Sequence, residues 1–129
     1  MLIYSLYKEG GHMAGTIIYL VISFLVSMIF VILGIVQYNS KMPVTINTGE
    51  KPPREDELTD MMEWNHRHGR NFIIYGCALF LTLTVFLFFI QKFDNVVVQI
   101  VVFFVIITIE IIWLETEHIH MKKTMIKKV

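Results

Sequence analysis

YNSKMPVTINTGEKPPREDELTDMMEWNHRHGR, Tyr38 to Arg70, is one long polar segment between apolar runs. Thr16–Gln37 precedes it, Asn71–Ile90 follows, and after the short connection Gln91–Asp94 comes a third run, Asn95–Leu114. About 20 apolar residues in a helix cover the roughly 30 Å hydrocarbon core of a bilayer, so each run is long enough to cross one. The first two carry no charge and the third carries only Glu110. Lipid offers no partner to a backbone N–H or C=O, and a continuous helix satisfies them all internally. The expected fold is therefore all-α and integral to the membrane, with three transmembrane helices at 16–37, 71–90 and 95–114. Residues 1–129 then form a single transmembrane domain in which 38–70 is the substantial loop.

Composition points the same way. Apolar residues make up 55% of the chain, charged residues only 17%, and the mean hydropathy is +0.61, a balance outside that of soluble domains. The formal net charge is zero, which argues against nucleic acid as a partner, since phosphate affinity needs clustered and unneutralised Lys and Arg. Cys77 is the single cysteine, so no intrachain disulfide is possible, and its apolar run suggests a packing thiol.

Charge asymmetry gives the orientation. Three spans put the loop and the C-terminal tail on one side. Together they carry nine cations: Lys41, Lys51, Arg54, Arg67, Arg70, Lys122, Lys123, Lys127 and Lys128. The other side has two, Lys8 and Lys92. The positive-inside rule places loop and tail in the cytoplasm and the N-terminus outside. The location expected is a bacterial plasma membrane, with the lipid bilayer as the first partner and the basic tail drawn to anionic lipid. Lys8-Glu9-Gly10-Gly11-His12 can be encoded as AAA-GAA-GGA-GGA-CAT, which holds a ribosome-binding sequence just before the codon of Met13. Met13 is thus the expected natural start, with residues 1–12 not translated natively.

Within the loop, Pro43, Gly49 and the Pro52-Pro53 pair disfavour helix. After Pro53 the acidic residues Glu55, Asp56 and Glu57 suit a first helical turn. Leu58, Met61, Met62 and Asn65 then share one face, with Asp56, Asp60, Glu63 and Arg67 on the other. This pattern predicts an amphipathic helix along the cytoplasmic interface that turns at Gly69 into the second span.

The sequence from Glu55-Asp56-Glu57-Leu58 through Trp64-Asn65-His66, Gly69 and Gly76 resembles the central segment of SdpI-type bacterial membrane proteins and their small three-span relatives. The likeness covers roughly Tyr38 to Ile90. It implies a non-enzymatic protein that acts by binding a membrane or cytoplasmic protein partner, in immunity to a toxin peptide or in signalling with a membrane-sequestered repressor. The chain has three spans where the best-known relatives have six, and Ile46-Asn47-Thr48-Gly49 stands in place of their Gly-Ile-Arg-Thr-like turn.

A rival reading comes from two Glu-x-x-His pairs, Glu63/His66 and Glu115/His118. That spacing sets a carboxylate and an imidazole on one side of a helix, as helical di-metal sites do. Glu63, His66, Glu110, Glu117 and His118 are the candidate ligands of a divalent ion, with Asp60, His68, His120 and Met121 as further donors. Glu63 is also four residues before Arg67, an ordinary surface-pair spacing. Glu110 is costly inside an apolar span unless neutral, paired or hydrated. It is read as about one turn from the cytoplasmic end, either as proton carrier, ligand or counter-charge, or as a snorkelling structural carboxylate. Glu117 repeats its face one heptad later. The rival function is a metal-dependent membrane enzyme or a proton-coupled transporter, and three helices would have to homo-oligomerise to build one. Ser23, Ser27, Gly34 and Gly76 are expected at close helix contacts.

Overall fold

The computed structural model describes the backbone of residues 2–45 and 51–127, with the side chains of residues 2–9 and of His12 left aside. Ile46–Gly49, the stretch that departs from the family's turn, and Lys128 in the tail lie outside the described residues. Three helices make up the fold: α1 Leu2–Tyr38, α2 Met61–Lys92 and α3 Val96–Met125. All three contain segments long and apolar enough to cross a membrane. Among the described residues there is no strand, only an isolated antiparallel bridge between Leu58 and Ile126.

Local chemistry sets the helix ends. The Asp60 carboxylate accepts from the Glu63 N–H at 3.1 Å and caps α2, and Arg54, after Pro52 and Pro53, is extended. At the α2–α3 connection, Asn95 Oδ1 accepts from Val97 N at 3.0 Å and Val98 N at 3.3 Å, capping α3. Gln99 then reaches back to the Ile90 and Phe93 carbonyls and ties the hairpin shut.

The helix after Pro53 is not the one expected. Glu55–Glu57 forms a single 3-10 turn, Leu58 is extended and buried, and α2 starts only at Met61. From there it runs without a turn through Gly69 to Lys92, and among the described residues the 3-10 turn is the only helical element between α1 and α2. Gly69 serves packing instead. A Cβ built on it would lie 2.6 Å from Tyr38 N, and one built on Gly34 would lie 2.5 Å from the Gly69 carbonyl oxygen. Backbone meets backbone here, which no larger residue permits. Seven residues along each helix the arrangement repeats, with Ser27 on α1 buried against Gly76 on α2. Helices in lipid gain little from burying apolar surface against each other, so small residues that allow close approach decide which faces meet. Farther along the pair, the Tyr19 hydroxyl donates to the Leu83 carbonyl at 2.8 Å and Phe24 packs edge-on to Phe80.

Helix α2 is central, with α1 and α3 both packed on it. The hold on α3 is looser: Phe103 meets Phe86 with ring centres 5.4 Å apart, and none of the spanning window of α3 is buried.

Candidate functional site

The last turns of α3 leave the apolar region and dock on the start of α2, making a small polar cap at one end of the bundle. Met121 and Met125 pack with Leu58 and Trp64, and Val44, Met61 and Ile126 close over them. Two backbone bonds pin the chain end, Thr59 N to Met125 O at 2.9 Å and Lys127 N to Glu57 O at 2.7 Å.

Trp64 and Asn65 build the cap's floor. The Trp64 indole donates to the Val44 carbonyl at 2.8 Å. The Asn65 amide donates to the Ser40 carbonyl at 3.1 Å and the Met42 carbonyl at 3.0 Å, and its oxygen accepts from Val44 N at 3.1 Å. Both side chains are buried, and both are spent on holding residues 40–44, a stretch whose own backbone groups have no helix or strand to satisfy them. The motif residues Trp64 and Asn65 are thus structural clamps. His66 points elsewhere, stacked flat on Tyr38 with ring centres 4.0 Å apart, in a depression shared with Glu63, Arg67 and Arg70.

One turn further into α2 the polar chemistry is deeper. His68 is fully buried and its Nε2 faces His118 Nδ1 across the α2–α3 contact at 3.4 Å. Trp64 stands edge-on to both rings, at 4.6 Å from His68 and 6.1 Å from His118. Asn71, one turn on from His68, donates to the Met121 sulfur at 3.8 Å, and Met121 is one turn on from His118. Two i, i+3 pairs, His68/Asn71 and His118/Met121, therefore face each other in a buried layer.

The five residues singled out as metal ligands do not gather. His118 meets His68; Glu63 and His66 lie by Tyr38; Glu117, partly buried, is one residue from His118 but on a different face. Glu110 is eight residues from His118, about 12 Å along the helix axis, too far for a shared ion. Among the described residues no group of three or more His, Cys, Asp or Glu side chains is placed to hold a metal.

Glu110 also lies farther from the end of its helix than the end of its apolar run suggested. Its Oε1 accepts a hydrogen bond from the Thr82 hydroxyl. Thr82 is ten residues before the end of α2 at Lys92, about 15 Å along the helix axis. Glu110 Oε2 is buried and makes no hydrogen bond among the described residues. Sequence reasoning measured its depth from Leu114, yet α3 continues to Met125 because Glu115 to Met121 enter the cap while still helical. The core roles of His68 and Asn71 were missed. The clue was helical spacing, since Trp64, His68 and Asn71 lie on one face of α2. Comparison of the chain with protein-family models, with curated proteins and with solved structures finds no match.

Proposed function

We propose that the chain is a non-enzymatic membrane protein of SdpI-like kind that acts by binding a protein partner, in immunity or signalling, with its polar cap on the cytoplasmic face of a bacterial membrane. The observation that carries this reading is the spanning part of α3. None of its window is buried by the rest of the chain, so a whole apolar helix face is left for a neighbour in the membrane plane. The motif side chains point the same way, because Trp64 and Asn65 are consumed in holding the cap together. The orientation rests on the nine cations of loop and tail against two on the opposite side.

Photo-crosslinking amino acids placed singly at the exposed positions Val101, Val105 and Ile112 test this reading in native membranes. The expected result is one protein adduct of constant mass, which Val105→Trp removes from the crosslinkers at positions 101 and 112. Adducts to lipid alone at all three positions would refute it.

A second reading, proton-coupled transport, is favoured by the uncommitted Glu110 oxygen within its apolar helix. Proton-driven flux through liposomes containing the purified chain, abolished by Glu110→Gln, would establish it in place of the first.

A further inference from the structure

We infer that the depression beside Tyr38 is a phospholipid site for a zwitterionic aminophospholipid of the phosphatidylethanolamine kind. Arg67 and Arg70 hold its phosphodiester, Glu63 its ammonium, and the outer face of α2 its acyl chains. This goes beyond partner binding and does not depend on it. Three observations carry the inference, and the first is place. Tyr38, Glu63, His66, Arg67 and Arg70 line one depression of about 560 Å³, within the roughly 300 to 1,000 Å³ of small-molecule sites. Tyr38 closes α1, the first spanning helix, and its backbone packs on Gly69. The second apolar run begins at Asn71. The depression thus lies where two apolar helices give way to polar chain, which in a bilayer is the headgroup level.

The second observation is the state of the charges. Glu63 stands four residues before Arg67, the spacing of a surface pair. Among the described residues they nevertheless form no ion pair, and Arg70 forms none either; the ion pairs there join Arg54 to Asp56 and to Glu57. Guanidinium groups present donors in a fork that matches phosphate oxygens, and basic pockets between membrane helices bind phosphate-bearing lipid heads. The stacked rings of Tyr38 and His66, 4.0 Å apart, give the depression a flat wall.

The third is the order of groups along α2, which selects the lipid. At about 100° per residue, Glu63, Arg67, Arg70, Ile74, Leu81 and Phe88 fall within about 60° of one another around the helix. Ile74, Leu81 and Phe88 are exposed. From the polar end toward the membrane the face therefore reads acid, two bases, then an apolar stripe. A phosphatidylethanolamine reads ammonium, phosphodiester, then acyl chains. Glu63 is about 6 Å along the axis from Arg67, near enough for the side chains to reach the two ends of one headgroup. An anionic lipid with an uncharged head would leave Glu63 facing no cation, and phosphatidylcholine has no N–H to donate to it.

The test uses the full chain purified in detergent, with bound lipid and its affinity read by native mass spectrometry. The probes are phosphatidylethanolamine, phosphatidylglycerol and phosphatidylcholine with the same acyl chains, and glycerophosphoethanolamine, which has none. One phosphatidylethanolamine per chain is expected, held more tightly than either other lipid and not displaced by glycerophosphoethanolamine. Arg67→Gln and Arg70→Gln should each weaken it about tenfold, the lower end for a hydrogen bond to a charged group. Glu63→Gln should weaken phosphatidylethanolamine and leave phosphatidylglycerol unchanged. Lys92→Gln, at the far end of α2, also removes a cation and should change nothing. Should an arginine variant misfold, as judged by circular dichroism and gel filtration, the lipid preference and its loss in Glu63→Gln decide. The inference is overturned if the wild-type chain retains no stoichiometric lipid, or if phosphatidylglycerol or phosphatidylcholine binds as tightly as phosphatidylethanolamine. It is equally overturned if Glu63→Gln keeps the preference, if glycerophosphoethanolamine displaces the lipid, or if Lys92→Gln weakens binding as much as Arg67→Gln.

Discussion

Replacing Gly34 by Ala adds one methyl group at the tightest point of the α1–α2 contact. The new Cβ would sit 2.5 Å from the Gly69 carbonyl oxygen, 2.7 Å from Ile73 Cγ1 and 2.9 Å from Ile73 N. A carbon and an oxygen at rest are about 3.3 Å apart or more, so the helices must separate locally by most of an ångström. Two of the three atoms are backbone and cannot rotate away. A radial gap of about 0.5 to 1 Å forfeits a quarter to a half of each dispersion well along the seam. Overpacking of this kind costs about 1 to 3 kcal/mol, and the backbone opposition places Gly34→Ala at the upper end, about 3 kcal/mol. Gly15 in the same helix is the control, since a Cβ there meets nothing within 4 Å. Gly15→Ala should cost nothing and gain up to about 1 kcal/mol of helix propensity. The assay is unfolding in mixed detergent–SDS micelles followed by Trp64 emission in a Trp113→Phe background. Equal stability of the two alanine variants would show that α1 and α2 do not meet at Gly34 and Gly69.

Asn65→Ala removes three hydrogen bonds that anchor residues 40–44, and at about 0.5 to 1.5 kcal/mol each the loss is about 1.5 to 4.5 kcal/mol; the same SDS titration measures it, and a loss below about 1 kcal/mol would contradict the clamp. Glu110→Gln keeps a polar partner for Thr82 while removing an ionisable group from an apolar helix, so it should leave stability unchanged or raise it, whereas Glu110→Lys should prevent stable insertion; a Gln variant that unfolds would mean the carboxyl group itself is needed. For orientation, single cysteines replacing Thr45 and Asp94 in a Cys77→Ala chain are probed on intact cells with an impermeant thiol reagent. Position 94 should be labelled and position 45 protected, and the reverse pattern would invert the topology.

The helices could be read from the sequence because their signal is length and polarity alone: three uncharged or nearly uncharged runs, each able to satisfy its own backbone. The cap could not. Its bonds join Asn65 to Ser40, Met42 and Val44 across more than twenty residues, and the reach of a side chain to a distant loop leaves no local period. The Glu-x-x-His pairs misled for a related reason. Spacing shows that Glu63 and His66 share a side of their helix, but only packing decides what that side faces, and it faces Tyr38. His68, two residues on, faces α3 and meets His118. Acidic residues after Pro53 suggested a helix start, yet Leu58 is drawn into the cap by its bridge to Ile126, and the helix waits for the Asp60 cap. In the same way the charges after Leu114 marked the end of an apolar run and not of a helix.

The central claim is that the end of α3 docks on the segment before α2 and makes the cap that brings His68 to His118. Leu58 and Ile126 test it directly. The bonds flanking their bridge, Thr59 N to Met125 O and Lys127 N to Glu57 O, make them a non-hydrogen-bonded antiparallel pair. Such a pair has its Cα atoms about 4.5 Å apart, within the roughly 4.4 to 6.8 Å that a disulfide spans. Leu58→Cys with Ile126→Cys, in a Cys77→Ser chain, should form an intramolecular disulfide nearly completely under mild oxidation in membranes, read by mass and by mobility before and after reduction. Two free thiols under those conditions, or a crosslink only between separate chains, would contradict the docked cap.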